Sequence, residues 1–172
     1  MKHAAIYIGE HDLTIDDKNR MLVPADVRNL MDAERDGEGF YVIIGGNRKP
    51  WLYAERYYEQ LLAREAEDLT PEAELSPDQN RLDDWHKRFG MASKVAWDKQ
   101  GRVLLPDTTL RRTETGREIT LVGVRNHLEL WNRRDWEVRF NELLQPTRSS
   151  GERKVSSSLI KSPEPADERG GQ

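Results

Sequence analysis

Apolar and polar residues alternate at Leu13 and Ile15 and again at Val95 and Trp97, and each alternation ends at an aspartate that opens a short polar run. Period-two alternation marks a half-buried strand. Beyond each polar run stands an apolar triplet, Met21-Leu22-Val23 or Val103-Leu104-Leu105, followed by a proline. The pattern predicts a hairpin and then a short helix, because proline suits a first helical turn, where its missing N–H has no partner to lose. A continuous apolar strand comes next, Phe40–Ile44 or Ile119–Val124, and then a last strand, Trp51–Tyr53 or Leu128–Trp131. Each run closes on an amphipathic helix, with stripes at Tyr53, Tyr57, Leu61 and Leu62 and at Trp136, Phe140, Leu143 and Leu144. These stripes read as packing surfaces. Helix-start signals at Thr70-Pro71-Glu72 and Ser76-Pro77-Asp78 predict a further helix over about residues 77–89.

The two runs form an internal repeat. Leu13 to Pro24 aligns with Val95 to Pro106 at a constant offset of 82, with the aspartate, the arginine, the apolar triplet and the proline all coinciding. Further on, Gly45 matches Gly123, Tyr53 matches Trp131 and Tyr58 matches Trp136 at an offset of 78. Asn19 and Gly101 fall at equivalent places, and these residue types tolerate a positive φ. Asp16 and Asp98 open the turns, where a carboxylate accepts backbone N–H bonds. We therefore read Asp16, Asn19, Asp98 and Gly101 as the residues that build the turns.

Composition narrows the function. The 172 residues carry 36% apolar and 34% charged residues, a net charge of -4 and no cysteine, with a mean hydropathy of -0.86. Such a chain has no disulfide, thiolate metal site or cysteine nucleophile. Its negative charge argues against indiscriminate coating of nucleic acid. The four histidines are scattered, and neither a phosphate-binding Gly-x-x-x-x-Gly-Lys loop nor a Gly-x-Ser-x-Gly elbow occurs. We expect no enzyme activity, no cofactor, no metal and no small-molecule substrate. The opening residues lack a signal-peptide pattern and no run is long and apolar enough for a membrane helix, so the expected location is the cytoplasm. Residues 145–172 are rich in Ser, Pro, Gly and charge, and read as a disordered tail.

The segments Gly9 to Arg20, Asp98 to Pro106 and Val122 to Trp131 resemble the MraZ family of bacterial regulators, over roughly residues 6 to 144. The resemblance implies a mainly β chain with flanking helices (α+β). Its two pseudo-repeated AbrB-like halves would form a swapped-hairpin β-barrel of the AbrB and SpoVT type. It also implies a homo-oligomeric ring, association with the nucleoid and binding of double-stranded promoter DNA. The DNA contacts carry over onto the basic residues of the Asp-x-x-x-Arg turns, Lys18, Arg20, Lys99 and Arg102. An arginine on a tight turn offers a planar, permanently charged fork for a phosphate or a guanine edge, and turns repeated around a ring would read direct repeats through avidity. Asn19 departs from the glycine usual in the family. Arg28 lies eight residues after Arg20, whereas Arg111 lies nine after Arg102 and the position matching Arg28 is Leu110; neither arginine is assigned to DNA.

The expected layout is a first half at 1–65, a helical connector at 66–90, a second half at 91–144 and the tail at 145–172. Two other readings stay open: a ring-forming structural or interaction protein of the same fold, and an antitoxin-like AbrB regulator. For Arg20 and Arg102 the competing role is to pair with the motif aspartate and only stabilise the hairpin.

Overall fold

The computed structural model describes residues 5–67 and 69–146, so all of the expected tail but Gln145 and Pro146 lies outside the described residues. Strand β1 (Glu10–Thr14) turns into β2 (Arg20–Leu22), which leads through Pro24 into α1 (Ala25–Leu30). Strands β3 (Gly39–Ile44) and β4 (Pro50–Ala54) follow, then α2 (Glu55–Glu67), α3 (Pro71–Leu75) and α4 (Gln79–Trp85). A π-helical turn, His86–Gly90, extends α4. The pattern then recurs as β5 (Ser93–Ala96), β6 (Arg102–Leu104), α5 (Asp107–Arg112), β7 (Glu118–Val124), β8 (His127–Asn132) and α6 (Arg133–Leu144). Among the described residues, no helix is long and apolar enough to cross a membrane.

The two halves interleave. The main sheet has the order β1-β7-β8-β4-β3-β5 and every pairing in it is antiparallel. Exchanging β1 with β5, β7 with β3 and β8 with β4 returns the same order reversed, so the sheet has a pseudo-twofold at the β4–β8 seam, where Trp51 pairs with Glu129 and Leu52 with Leu128. Strand β1 pairs with β7 of the other half, and β5 with β3. The hairpins are thus swapped, as the resemblance implied.

The expected barrel is not a continuous closed sheet. Strands β2 and β6 pair with each other in a separate two-stranded ribbon, joined to the main sheet's edge strands by single bridges, Ile15 with Met21 and Trp97 with Val103. The tight turns explain this, because reversing the chain within a few residues leaves room for one bridge on each side rather than a ladder. Met21 and Val103 face each other across the ribbon and are fully buried, with Phe40, Val42, Leu52, Ile119, Leu121 and Leu130 beneath them. Burial of each such side chain contributes roughly 1.5–3 kcal/mol.

Two sequence expectations shift. The helix expected over 77–89 is α4 continued by the π turn, and a separate short helix precedes it: Thr70 Oγ1 accepts from Ala73 N and starts α3, while Asp78 Oδ1 accepts from Arg81 N at 2.9 Å and starts α4. Both start signals are used. Tyr53 lies on β4 rather than on the helix, and the residue of α2 that is buried is Tyr58, whose hydroxyl donates to the Arg88 carbonyl at 2.7 Å. At the other end, α6 is tied to β1 by Arg133, which donates to the Leu13 carbonyl, and by Trp136, which donates to Glu10. Beyond Trp136 the helix leaves Val138, Phe140, Leu143 and Leu144 exposed.

One buried polar cluster stands at the seam. Glu129 accepts from Trp131 Nε1 at 2.7 Å and Asn47 Nδ2 at 3.0 Å, and faces His127 Nε2 at 3.3 Å. Burial pushes the Glu129 carboxyl up, but the hydrogen bonds from His127 and Trp131 outweigh it and hold the group below its usual range.

Candidate nucleic-acid interface

Each turn is built around its aspartate. Asp16 Oδ1 accepts from Lys18 N at 2.9 Å and Arg20 N at 2.8 Å, and Asp98 Oδ1 accepts from Gln100 N at 2.9 Å and Arg102 N at 3.0 Å. The fourth residue closes the turn at positive φ, 59° for Asn19 and 77° for Gly101. Its N–H bonds back to the carbonyl of Asp16 or Asp98. The turns then lock each other: Val23 N donates to the Gly101 carbonyl at 2.9 Å, and Leu105 N donates to the Asn19 carbonyl at 2.8 Å.

The second carboxylate oxygen holds the arginine. Arg20 Nε and Nη2 reach Asp16 Oδ2 at 2.8 and 2.7 Å, and Arg102 Nε and Nη2 reach Asp98 Oδ2 at 2.9 and 2.8 Å. The Arg20 side chain, through its hydrogen bonds, holds the Asp16 carboxyl down to about 2. Hydrogen bonds from Arg102, first from its backbone N–H and then from its side chain, lower Asp98 as well. A guanidinium has five N–H groups, so a pair at Nε and Nη2 leaves three donors at the outer end. The aspartate therefore fixes the direction of the fork without using it up. About a third of each arginine side chain is exposed, 31% for Arg20 and 30% for Arg102.

The register of the ribbon sets what it displays. Arg20 pairs with Leu104 and Leu22 with Arg102, on either side of the inward pair Met21 and Val103. Side chains alternate between the faces of a strand, so Arg20, Leu22, Arg102 and Leu104 share the outer face. Leu22 and Leu104 are 50% and 60% exposed. Lys18 and Lys99 are exposed at the turn tips. The four basic residues singled out from the sequence, with the four turn residues, thus come together at one edge. Leu22 and Leu104 were not singled out, because each stands in a run of three apolar residues that does not by itself show which one faces outward.

The short helices keep the offset of 82, α1 at Ala25–Leu30 and α5 at Asp107–Arg112. Arg28 donates from Nε to the Val23 carbonyl at 3.1 Å, and its guanidinium lies where a Cβ on Gly101 would stand, 2.7 Å from Cζ. Leu110, at the matching place, is buried in the core. Among the described residues, no group of three or more His, Asp or Glu side chains is arranged to hold a metal ion.

A family profile described as "MraZ protein, putative antitoxin-like" matches residues 89–155, which contain the second turn, β7, β8 and α6. The chain is 32% identical over 137 residues to the transcriptional regulator MraZ of Neisseria meningitidis serogroup C / serotype 2a, covering 79% of this chain and 86% of that protein. The chain belongs to the MraZ family. The transcriptional regulators MraZ of Roseiflexus castenholzii and Dictyoglomus thermophilum are 29% and 28% identical over 132 and 140 residues, 77% and 80% of this chain and 85% and 86% of theirs. Stretches of this length reach into both halves, so the MraZ likeness extends beyond the segment matched by the profile. The curated MraZ relatives are named as regulators of transcription, not as enzymes.

Proposed function

We propose that this protein is a DNA-binding transcriptional regulator that contacts double-stranded promoter DNA through the outer face of the β2–β6 ribbon. Arg20 and Arg102 are the principal contacts, and Lys18 and Lys99 add phosphate contacts at the turn tips. The observation that carries the reading is the pair of aspartate-anchored arginines on one face of a rigid ribbon, each with an outer end free to donate. A preset side chain loses little freedom on binding, which preserves contact energy. The outer ends suit a phosphate or the O6 and N7 of guanine, and Leu22 and Leu104 between them suit thymine methyls and sugars. The names of the relatives support the regulatory role.

In this reading residues 1–65 and 91–144 are the two halves, 66–90 the connector and 145–172 the tail, and the protein works in the cytoplasm at the nucleoid. The exposed apolar side chains of α6 support self-association. A ring would present the ribbons at regular intervals to direct repeats.

The test is binding to the DNA upstream of the protein's own gene, at two salt concentrations, for wild type, Arg20→Ala, Arg102→Ala and the double variant. Binding weakens steeply with salt and falls in each variant. Unchanged affinity in the double variant removes the ribbon mechanism, and wild type without salt-dependent binding favours an interaction protein. Light scattering tests the ring, which a monomer overturns.

A further inference from the structure

The pseudo-twofold gives each turn a flank made by the other half, and the two flanks carry opposite charge. Beside the Asp16 turn, a cleft of about 300 Å³ opens over Asn19 where Leu110 is withdrawn into the core; Arg111 and Arg117 line it, with Asp107 and Glu114. A second cleft of about 290 Å³ shares Glu114 and continues past Arg112 to Arg48 and Lys49 on the β3–β4 turn. Five basic residues thus stand along this edge against two acidic ones. Lys49 is engaged by Asp135 at 2.9 Å, and Arg117 Nη1 reaches the Ile15 carbonyl at 3.4 Å. Arg48, Arg111 and Arg112 make no ion pair and no side-chain hydrogen bond to any described residue.

Beside the Asp98 turn the corresponding space is filled, since Arg28 lies against Gly101. The loop from α1 to β3 carries Asp32, Glu34, Asp36 and Glu38, and its one base, Arg35, is bound to the buried Asp36 at 2.5 Å. The Asp98 turn itself is the more basic of the two by one charge, since Asp17 is matched by Lys99 while Lys18 is matched by the neutral Gln100. Its surroundings reverse that advantage.

We propose that the flank of the Asp16 turn is a backbone-phosphate track, with Arg48, Arg111 and Arg112 as its contacts, so that a duplex seated on the ribbon leans toward the first turn. The track rests on the ribbon reading and extends it. Unpaired guanidinium groups along one edge attract a phosphate backbone, whereas the exposed carboxylates of Asp32, Glu34 and Glu38 repel it. Phosphate contacts set the position and tilt of the duplex without reading its sequence.

The experiment measures affinity against salt for the full chain on two duplexes of equal length, the protein's own upstream DNA and a scrambled sequence. The variants are Arg48→Ala/Arg111→Ala/Arg112→Ala, the same three positions changed to Lys, and Arg20→Ala/Arg102→Ala. Each phosphate contact contributes about 0.9 to the slope of log affinity against log salt, so the triple alanine variant loses on the order of 40-fold of the affinity change between 50 and 200 mM salt. The loss is equal on both duplexes, and lysine restores it. A wild-type slope in the triple alanine variant, with affinity lost in Arg20→Ala/Arg102→Ala, overturns the track and leaves the ribbon reading standing. Full binding by Arg20→Ala/Arg102→Ala overturns the ribbon reading, and with it the seating on which the track depends.

Discussion

The turn at Asp16–Arg20 and the turn at Asp98–Arg102 hold their arginines through the same set of bonds, with matching distances that differ by 0.2 Å or less. What surrounds them has diverged. One positive-φ position is Asn19 under an open cleft, and the other is Gly101 under the guanidinium of Arg28. The repeat preserves what aims the arginine and leaves free what lies beside it. Two copies in one chain can therefore specialise in a way that identical subunits cannot.

The largest effect is expected where the two turns depend on each other. Met21 is fully buried opposite Val103, and its backbone joins both the ribbon and the bridge to Ile15. Met21→Ala should destabilise the fold by about 2–5 kcal/mol, as read from denaturant midpoints. It should also loosen both arginines together. If DNA binding through one turn survived undisturbed while the other was lost, the turns would be independent and the mutual lock between them unimportant.

Next comes the difference at the positive-φ position. Gly101→Ala imposes strain at φ 77° and drives a methyl into the Arg28 guanidinium, at a cost of about 1–3 kcal/mol. Asn19→Gly, at φ 59° beneath open space, should change stability by no more than a few tenths of a kcal/mol. Equal effects of Gly101→Ala and Asn19→Ala on the unfolding midpoint would mean that Arg28 moves aside freely, and the asymmetry would be superficial.

Much of this was legible in the chain. The aspartate, the tolerant fourth residue and the arginine each have a local physical reason, and local reasons survive translation into structure. The offset of 82 also carried through to α1 and α5. The partner of each strand was not legible from the repeat, because a hairpin that pairs within its own half satisfies the same alternation; the swapped arrangement came from the family resemblance. Tyr53 was misplaced for a related reason. Its spacing to Tyr57 and Leu61 fits a helix, but the antiparallel pairing of Tyr53 with Tyr41 holds it in β4. The unequal flanks were invisible because they arise where one half's loop meets the other half's turn.

Binding should show the asymmetry at a smaller scale. Arg20→Ala is expected to cost about 1–3 kcal/mol of DNA affinity, and Arg102→Ala less, because the acidic loop beside it keeps the backbone at a greater distance. Anisotropy titrations at one salt concentration compare them. A larger loss for Arg102→Ala would reverse the proposed lean.

The smallest effect concerns acid. Asp16 titrates at about 2 in the fold, below its ordinary 3.8, because its carboxylate is bonded to Arg20 and to backbone N–H groups. A depressed carboxyl contributes stability that is complete above its unfolded pKa and is lost as pH falls through the folded one. The contribution is therefore constant above about pH 5 and fades between about pH 4 and pH 2. Asp16 is partly exposed to solvent, so the effect is small and further screened by salt. Melting temperatures measured from pH 6 to pH 2 should fall less steeply for Asp16→Asn than for wild type below pH 4, with Asp98→Asn behaving alike because the second carboxyl is also depressed. Parallel curves for wild type and both variants would show that the carboxylates aim the arginines without contributing measurably to the fold, and would leave the acid sensitivity to the buried Glu129 at the seam.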